Sequence, residues 1–285
     1  DSGGQATITS AGIFTNGVGQ DGGGLYNKGT LTIDVTAISG NNAGRDGGGL
    51  YNDSGGTATI TATEISFNNT PWAGGGLYVS SSSTVSLTNS TLSGNSAGQK
   101  GGGIHNLGTV KLSFVTVASN SASSGGGIFN NATANIRHSI VAISISTSGN
   151  NCSGSLTASG VNFATDTSCG SGFTSVTPAV LNLGPLTNNG GATQTHALQV
   201  PSAAIDAVPS GQCTDLNGNP VTKISEVRAS LGLLAPAVMR ELTSSESTTT
   251  DAHANPNTDA HANLNTDAHT NPNTDTHANL NTDAH

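Results

Sequence analysis

The sequence predicts an all-β chain, a single-stranded parallel β-helix of about six coils followed by a disordered C-terminal tail. Three observations carry that expectation. The tripeptide Gly-Gly-Gly recurs five times at a nearly constant spacing. Segments of alternating apolar and polar residues keep a fixed phase with each triplet. The composition, 39 Gly in 285 residues with only 9% Asp, Glu, Lys and Arg, suits stacked turns and short strands. It excludes helical bundles and coiled coils, which are rich in charged helix formers.

The triplets begin at Gly22, Gly47, Gly74, Gly101 and Gly125, separated by 25, 27, 27 and 24 residues. An apolar residue follows each one (Leu25, Leu50, Leu77, Ile104, Ile128), and then a ring-bearing one (Tyr26, Tyr51, Tyr78, His105, Phe129). Asn27, Asn52, Asn106 and Asn130 come next, with Val79 as the exception. Alternation then places Leu31/Ile33/Val35, Ala58/Ile60/Ala62, Val85/Leu87/Asn89, Val110/Leu112/Phe114 and Ala134/Ile136/His138 on one inward face. A period of two is that of a half-buried strand. Beyond these stand Ile38, Ile65, Leu92, Val117 and Val141, and beyond those Asn41, Asn68, Asn95 and Asn120. Ala6, Ile8, Ile13 and Asn16 fit the same template and supply the first coil.

A coil of about 25 residues with three short strands is the signature of a stacked β-solenoid. One coil cannot bury its inward residues, but a stack makes a continuous apolar column. Each buried aliphatic contributes roughly 1.5–3 kcal/mol, so the column outweighs any surface contact. The triplet glycines are expected at turns that need positive φ. The Asn columns are expected to form hydrogen-bonded ladders at turns, where Asn also tolerates the left-handed conformation. Pro71 is the sole proline within residues 1–177; strands that all use their N–H groups have little room for more.

Charge and targeting narrow the function. Eight Lys and Arg against 17 Asp and Glu give a net charge of −9, so nucleic acid is not an expected partner. No apolar run approaches the roughly 18 residues needed to cross a bilayer. The chain opens at Asp1 without a basic leader or apolar core segment, so an export signal is expected upstream and the sequence is expected to be a piece of a longer one. The spacing of Cys152, Cys169 and Cys213 fits no zinc motif.

The Gly-Gly-Gly-(Leu/Ile) and (Ile/Leu/Val)-x-x-Asn pair, as in Gly22 to Leu25 and Ile38 to Asn41, resembles the repeats of polymorphic outer-membrane proteins. Residues 149–208 resemble bacterial choice-of-anchor Q domains through Asn151-Cys-Ser-Gly, Asp166-Thr-Ser-Cys-Gly, the run from Leu183 to Leu198, and Ala204-Ile-Asp-Ala. The resemblance implies a right-handed, pectate-lyase-like β-helix, exported and held at the bacterial cell surface. The chain is expected to divide into coils (1–148), a C-terminal part of the same domain with loops (149–221) and, where the composition breaks to leave Gly232 as the sole glycine and an octad repeat closes the chain, a low-complexity, disordered end (222–285). In an exported protein, Cys152 and Cys169 are expected to form a disulfide worth about 3 kcal/mol, with Cys213 left over. The family's Asp-Gln-Arg-Gly and Cys-Asp-x-Gly-Ala motifs are missing after Cys213, yet alternative-frame readings of residues 222–227 and 237–244 can spell both. A frame slip near residue 222 is therefore expected.

No catalytic, cofactor-binding or metal-binding residue is assigned. Asp21 and Asp46 occupy equivalent positions in neighbouring coils, a spacing that would suit a carboxylate pair. Ala73, Lys100 and Ser124 continue that column, and Arg45 stands beside it, so a solvated turn ladder is the expected role. Outward Thr-x-Thr pairs survive only at Thr7/Thr9 and Thr59/Thr61, too few for a water-ordering face. His253, His261, His269, His277 and His285 recur every eight residues, each with Asp two before it, and at best form a weak metal-binding tail. The expected function is that of a monomeric, non-catalytic, adhesin-like stalk contacting glycans or surface proteins. The alternative is a carbohydrate-active β-helix enzyme whose catalytic coils precede Asp1.

Overall fold

A computed structural model describes residues 3–147, 150–209 and 211–221. The expectations for the octad repeat, its histidines and the frame slip lie outside the described residues. Within them the chain is a parallel β-solenoid of about six turns. Four parallel sheets run along it, numbered here in the order the chain visits them. The first has seven strands, from Gln5–Thr9 to Thr157–Ser159, and the second has eight, from Gly12–Phe14 to Thr174–Ser175. The third and fourth have six each, from Gly17–Val18 to Ile145–Ser146 and from Leu25–Asn27 to Cys152–Ser153.

Each full coil therefore holds four strands where the sequence suggests three. The additional one spans only two residues, as in Asn42–Ala43 and Ser96–Ala97, too short to leave an alternation of its own. Register is kept from coil to coil. Ile33 pairs with Ile8 and Ile60, and Leu77 with Leu50 and Ile104. The stacking leaves Ile33, Ile38, Ile60, Ile65, Leu92 and Leu112 with no exposed surface. These side chains form the continuous apolar spine. At its lower end Cys152 takes the place below Ile128, and its disulfide to Cys169, with Cα atoms 5.0 Å apart, closes the column beside Phe173.

The third alternating position departs from the sequence expectation. Val35, Ala62, Asn89, Phe114 and His138 all have φ near +50°, at the corner between the first and second sheets. A left-handed residue reverses the direction of the next side chain and costs an L-residue about 1–2 kcal/mol. Phe114 consequently leaves the spine and joins a second apolar cluster with Ile140, Ala142, Phe163, Leu181, Leu198 and Ala204. His138 lies with it, its ring 5.0 Å from that of Phe114. Both residues pack outside the solenoid.

That outer cluster is completed by the chain after the last coil. Thr177 caps one short helical turn, Pro178–Leu181, and an antiparallel pair, Leu183–Thr187 with Thr195–Leu198, follows. Residues 176–209 thus form a strap over the outer surface of the second sheet, rising from the lower coils to Glu64, and residues 214–217 lie against the first sheet at Ser113 and Arg137. Gln194 N donates to Glu64 Oε2 at 3.0 Å, and Arg137 Nε donates to Thr214 O at 3.1 Å.

Candidate functional site: an outer cleft beside a buried carboxylate

The residues singled out by the repeat are placed by that geometry. Asn16, Asn41, Asn68, Asn95 and Asn120 stack at the corner between the second and third sheets. Each Nδ2 donates to the Oδ1 of the next Asn at 2.9–3.0 Å. The same Oδ1 atoms accept the backbone N–H of the Asn above, as from Asn41 N to Asn68 Oδ1 at 2.9 Å. These Asn residues do not take the left-handed conformation themselves; the residue before each does, namely Thr15, Gly40, Phe67, Gly94 and Ser119. The other Asn column is shorter. Asn27 Nδ2 donates to Asn52 Oδ1 and Asn106 Nδ2 to Asn130 Oδ1, both at 2.7 Å, with Val79 buried between the two pairs. Gly22, Gly47, Gly74, Gly101 and Gly125 have φ of +58° to +74°. The second and third glycines of each triplet have a different task, which is close approach of neighbouring coils.

Several arrangements resemble catalytic ones, and the geometry commits each to another use. Asp21 Oδ1 accepts from Asp46 N at 3.1 Å, and Asp46 Oδ1 accepts from Ala73 N at 2.9 Å, so each carboxylate caps the coil below. Arg45 Nε lies 3.5 Å from Asp21. Asp53 instead accepts from Tyr26 Oη at 2.6 Å and pairs with Lys28 at 3.3 Å. Ser93 Oγ lies 2.8 Å from His196 Nε2, whose Nδ1 is 2.6 Å from Gly184 O. Donation from Nδ1–H to that carbonyl makes Nε2 the acceptor, which is the arrangement of an activated serine. Ser93 and His196 are both buried, however, and neither lines the outer clefts described below. They fasten the strap to the fourth coil. His196 was legible only as part of a motif, not as a fastening.

On the fourth sheet stands an outward row of rings. Tyr26, Tyr51 and Tyr78 stack with centroids 5.2 and 4.7 Å apart, and His105 sits edge-on between Tyr78 and Phe129. Neither His105 nitrogen has a hydrogen-bond partner. Burial, aided by the Lys100 charge, holds its pKa down to about 4; burial also lowers those of His138 and His196. The sign follows from proton counting. Below about 6.5 the unfolded chain binds protons that the folded chain refuses, so stability present at neutral pH is lost as pH falls. His105 alone is expected to remove about 2.5 kcal/mol between pH 7.5 and pH 4.5. Urea unfolding at the two pH values checks this. The His105→Phe variant, which repeats the ring at Phe129, should flatten the dependence by that amount, and an unchanged slope would refute it.

The feature suited to a ligand lies on the second sheet, where the strap stops short of the upper coils. A cleft of about 380 Å³ opens there between Phe14, Ser39, Glu64 and Phe67 on the coils and residues 188 and 191–194 of the strap. A second cleft of about 430 Å³ adjoins it, sharing Phe14, Ala37 and Ala192. Phe14 and Phe67 are 55% and 58% exposed, whereas Glu64 is 5% exposed. Ser66 Oγ donates to Glu64 Oε1 at 2.5 Å and lies 2.9 Å from Ser39 Oγ. Among the described residues, no group of three or more His, Cys, Asp or Glu is placed to hold a metal ion.

Comparisons with protein-family models, curated proteins and solved structures find no match to this chain. The fold is a parallel β-solenoid of about six turns. Among the described residues, no helix is long and apolar enough to cross a membrane.

Proposed function

We propose that this chain is a surface-displayed β-helix that binds glycans along its outer faces without turning them over. The observation that carries the reading is the cleft bordered by Phe14 and Phe67 with polar groups at its floor. Aromatic walls with a few fixed hydrogen-bonding groups are the usual make-up of a ligand site. The resemblance of the triplet repeats to polymorphic outer-membrane proteins, and of residues 149–208 to choice-of-anchor Q domains, supports display at a bacterial surface. Fold alone does not assign function. Asp21 and Asp46 are spent on backbone N–H groups and Ser93 and His196 are both buried, which speaks against turnover.

The test is retention of the purified protein on immobilised polysaccharides, with the flow-through assayed for reducing and unsaturated sugar. Binding without product is the expected result. Sugar release would favour a carbohydrate-active enzyme, and failure to bind any polysaccharide would overturn the proposal.

A further inference from the structure

We infer that the Phe14–Glu64–Phe67 cleft selects an amine-bearing saccharide, with its ammonium group at the Glu64 carboxylate and its ring face against a phenylalanine. This deepens the proposed glycan binding and rests on it.

Glu64 is almost wholly buried, yet neither of the ion pairs found among the described residues involves it, and no Lys or Arg lines the cleft. Burying a carboxylate without a cation is costly, and proteins ordinarily pair such groups. Its two oxygens accept one hydrogen bond each, from Ser66 Oγ and Gln194 N. A carboxylate can accept about four, so lone pairs remain for a donor entering from the cleft. A hydrogen bond between a carboxylate and an ammonium group is roughly twice as strong as one between neutral partners. A neutral sugar hydroxyl would therefore gain less here than an amine.

The walls point the same way. Phe67 occupies a left-handed corner with φ +52°, in the column where Gly40 and Gly94 stand in adjacent coils. Such a conformation is uncommon for a bulky side chain. Its ring lies over Gly94, where an added Cβ would come within 2.7 Å of two ring carbons, so glycine below it provides the bed on which the ring rests. Phe14 likewise folds back over Gly12. Two rings held this way and still more than half exposed present apolar faces to whatever enters. Aromatic faces attract both a cation and the C–H face of a sugar ring. The adjoining clefts share one wall, which gives a chain of more than one residue a continuous path. The protein's net charge of −9 adds a long-range attraction for a cationic polymer.

The probes are glucosamine tetramer, its fully N-acetylated counterpart, an unsubstituted glucose tetramer and a lysine tetrapeptide, titrated calorimetrically into the wild-type chain. The glucosamine tetramer should bind at least about tenfold more tightly than the other three, and its affinity should fall as salt is raised. Glu64→Gln should weaken that binding by about tenfold or more. Phe67→Ser, at an exposed position, provides a second variant that does not disturb the buried network and should weaken binding severalfold. Circular dichroism verifies that both variants fold. Equal binding of the acetylated or unsubstituted tetramer, or binding unaffected by Glu64→Gln, overturns the inference while leaving glycan binding in place. Equal binding of the lysine peptide overturns the saccharide assignment, and no binding of any saccharide here or in the retention assay removes both readings.

Discussion

Replacing Asn68 with Leu is expected to destabilise the solenoid by about 4 kcal/mol, through loss of its ladder rather than of volume. The side chain is fully buried and makes four hydrogen bonds. Its Nδ2 donates to Ile38 O and to Asn95 Oδ1, and its Oδ1 accepts from Asn41 N and Asn41 Nδ2. Leucine matches the size but leaves Asn41 N, Asn41 Nδ2 and Ile38 O without those partners in a site closed to water. Each unpaired buried group costs about 1–3 kcal/mol, less whatever local relaxation recovers. Asn52→Val is the control. That column already accommodates Val79 with no exposed surface, Gly56 O still accepts from Thr84 N, and Asn27 Nδ2 retains the carbonyls of Gly29 and Thr57. About 1.5 kcal/mol is expected there. Urea unfolding of both variants checks the difference. Equal costs would mean that the Asn16-to-Asn120 ladder is not what holds the corner between the second and third sheets.

The same contrast shows what a sequence of this kind carries and what it hides. Repetition makes the coils legible: a residue type that recurs every 24–27 positions must meet its own copies, whatever the turn geometry. Columns such as Ile33–Ile60 and Leu50–Leu77 follow from that alone. Corners are less legible, because a single left-handed residue turns a side chain from inside to outside without altering the alternation. Phe114 and His138 therefore look like spine residues in the sequence and stand in the outer layer in the structure. The strap is the least legible element, because it does not repeat. A trace of it exists in the outward column Ala37, Glu64, Thr91, Thr116, Ile140, Phe163, which becomes apolar toward the end where the strap packs. Glu64 lies where that covering gives out. No local pattern marks it, and its neighbour Gln194 is 130 residues away in the chain.

Gly75→Ala is the second substitution expected to cost about 4 kcal/mol, and here the cause is contact between coils rather than backbone conformation. A Cβ on Gly75 would lie 2.5 Å from Gly102 O and 2.5 Å from Ser96 O, both backbone atoms that cannot rotate aside. Both belong to the coil below, Ser96 in the strand that pairs with Asn69 and Gly102 in the triplet that follows it, so the added carbon is relieved only by parting the stack. Parting it strains the ladder in which Gly75 N donates to Gly101 O at 3.2 Å and Gly76 N to Gly102 O at 2.9 Å. Gly55→Ala separates this cause from the cost of positive φ. Gly55 has φ +81° but open space around its Cβ direction, so it should lose only about 1 kcal/mol. The pair also bears on why the glycines come in threes. If both variants lose the same small amount, one glycine per coil would suffice for the turn and the triplet would have no steric basis. A large loss confined to Gly75 means that the coils close on this side by backbone-to-backbone contact, with Gly23, Gly48, Gly75, Gly102 and Gly126 each seated against a neighbouring carbonyl. That closeness is what leaves the rings of Tyr26, Tyr51 and Tyr78, which begin one residue beyond each triplet's apolar successor, within stacking distance of one another.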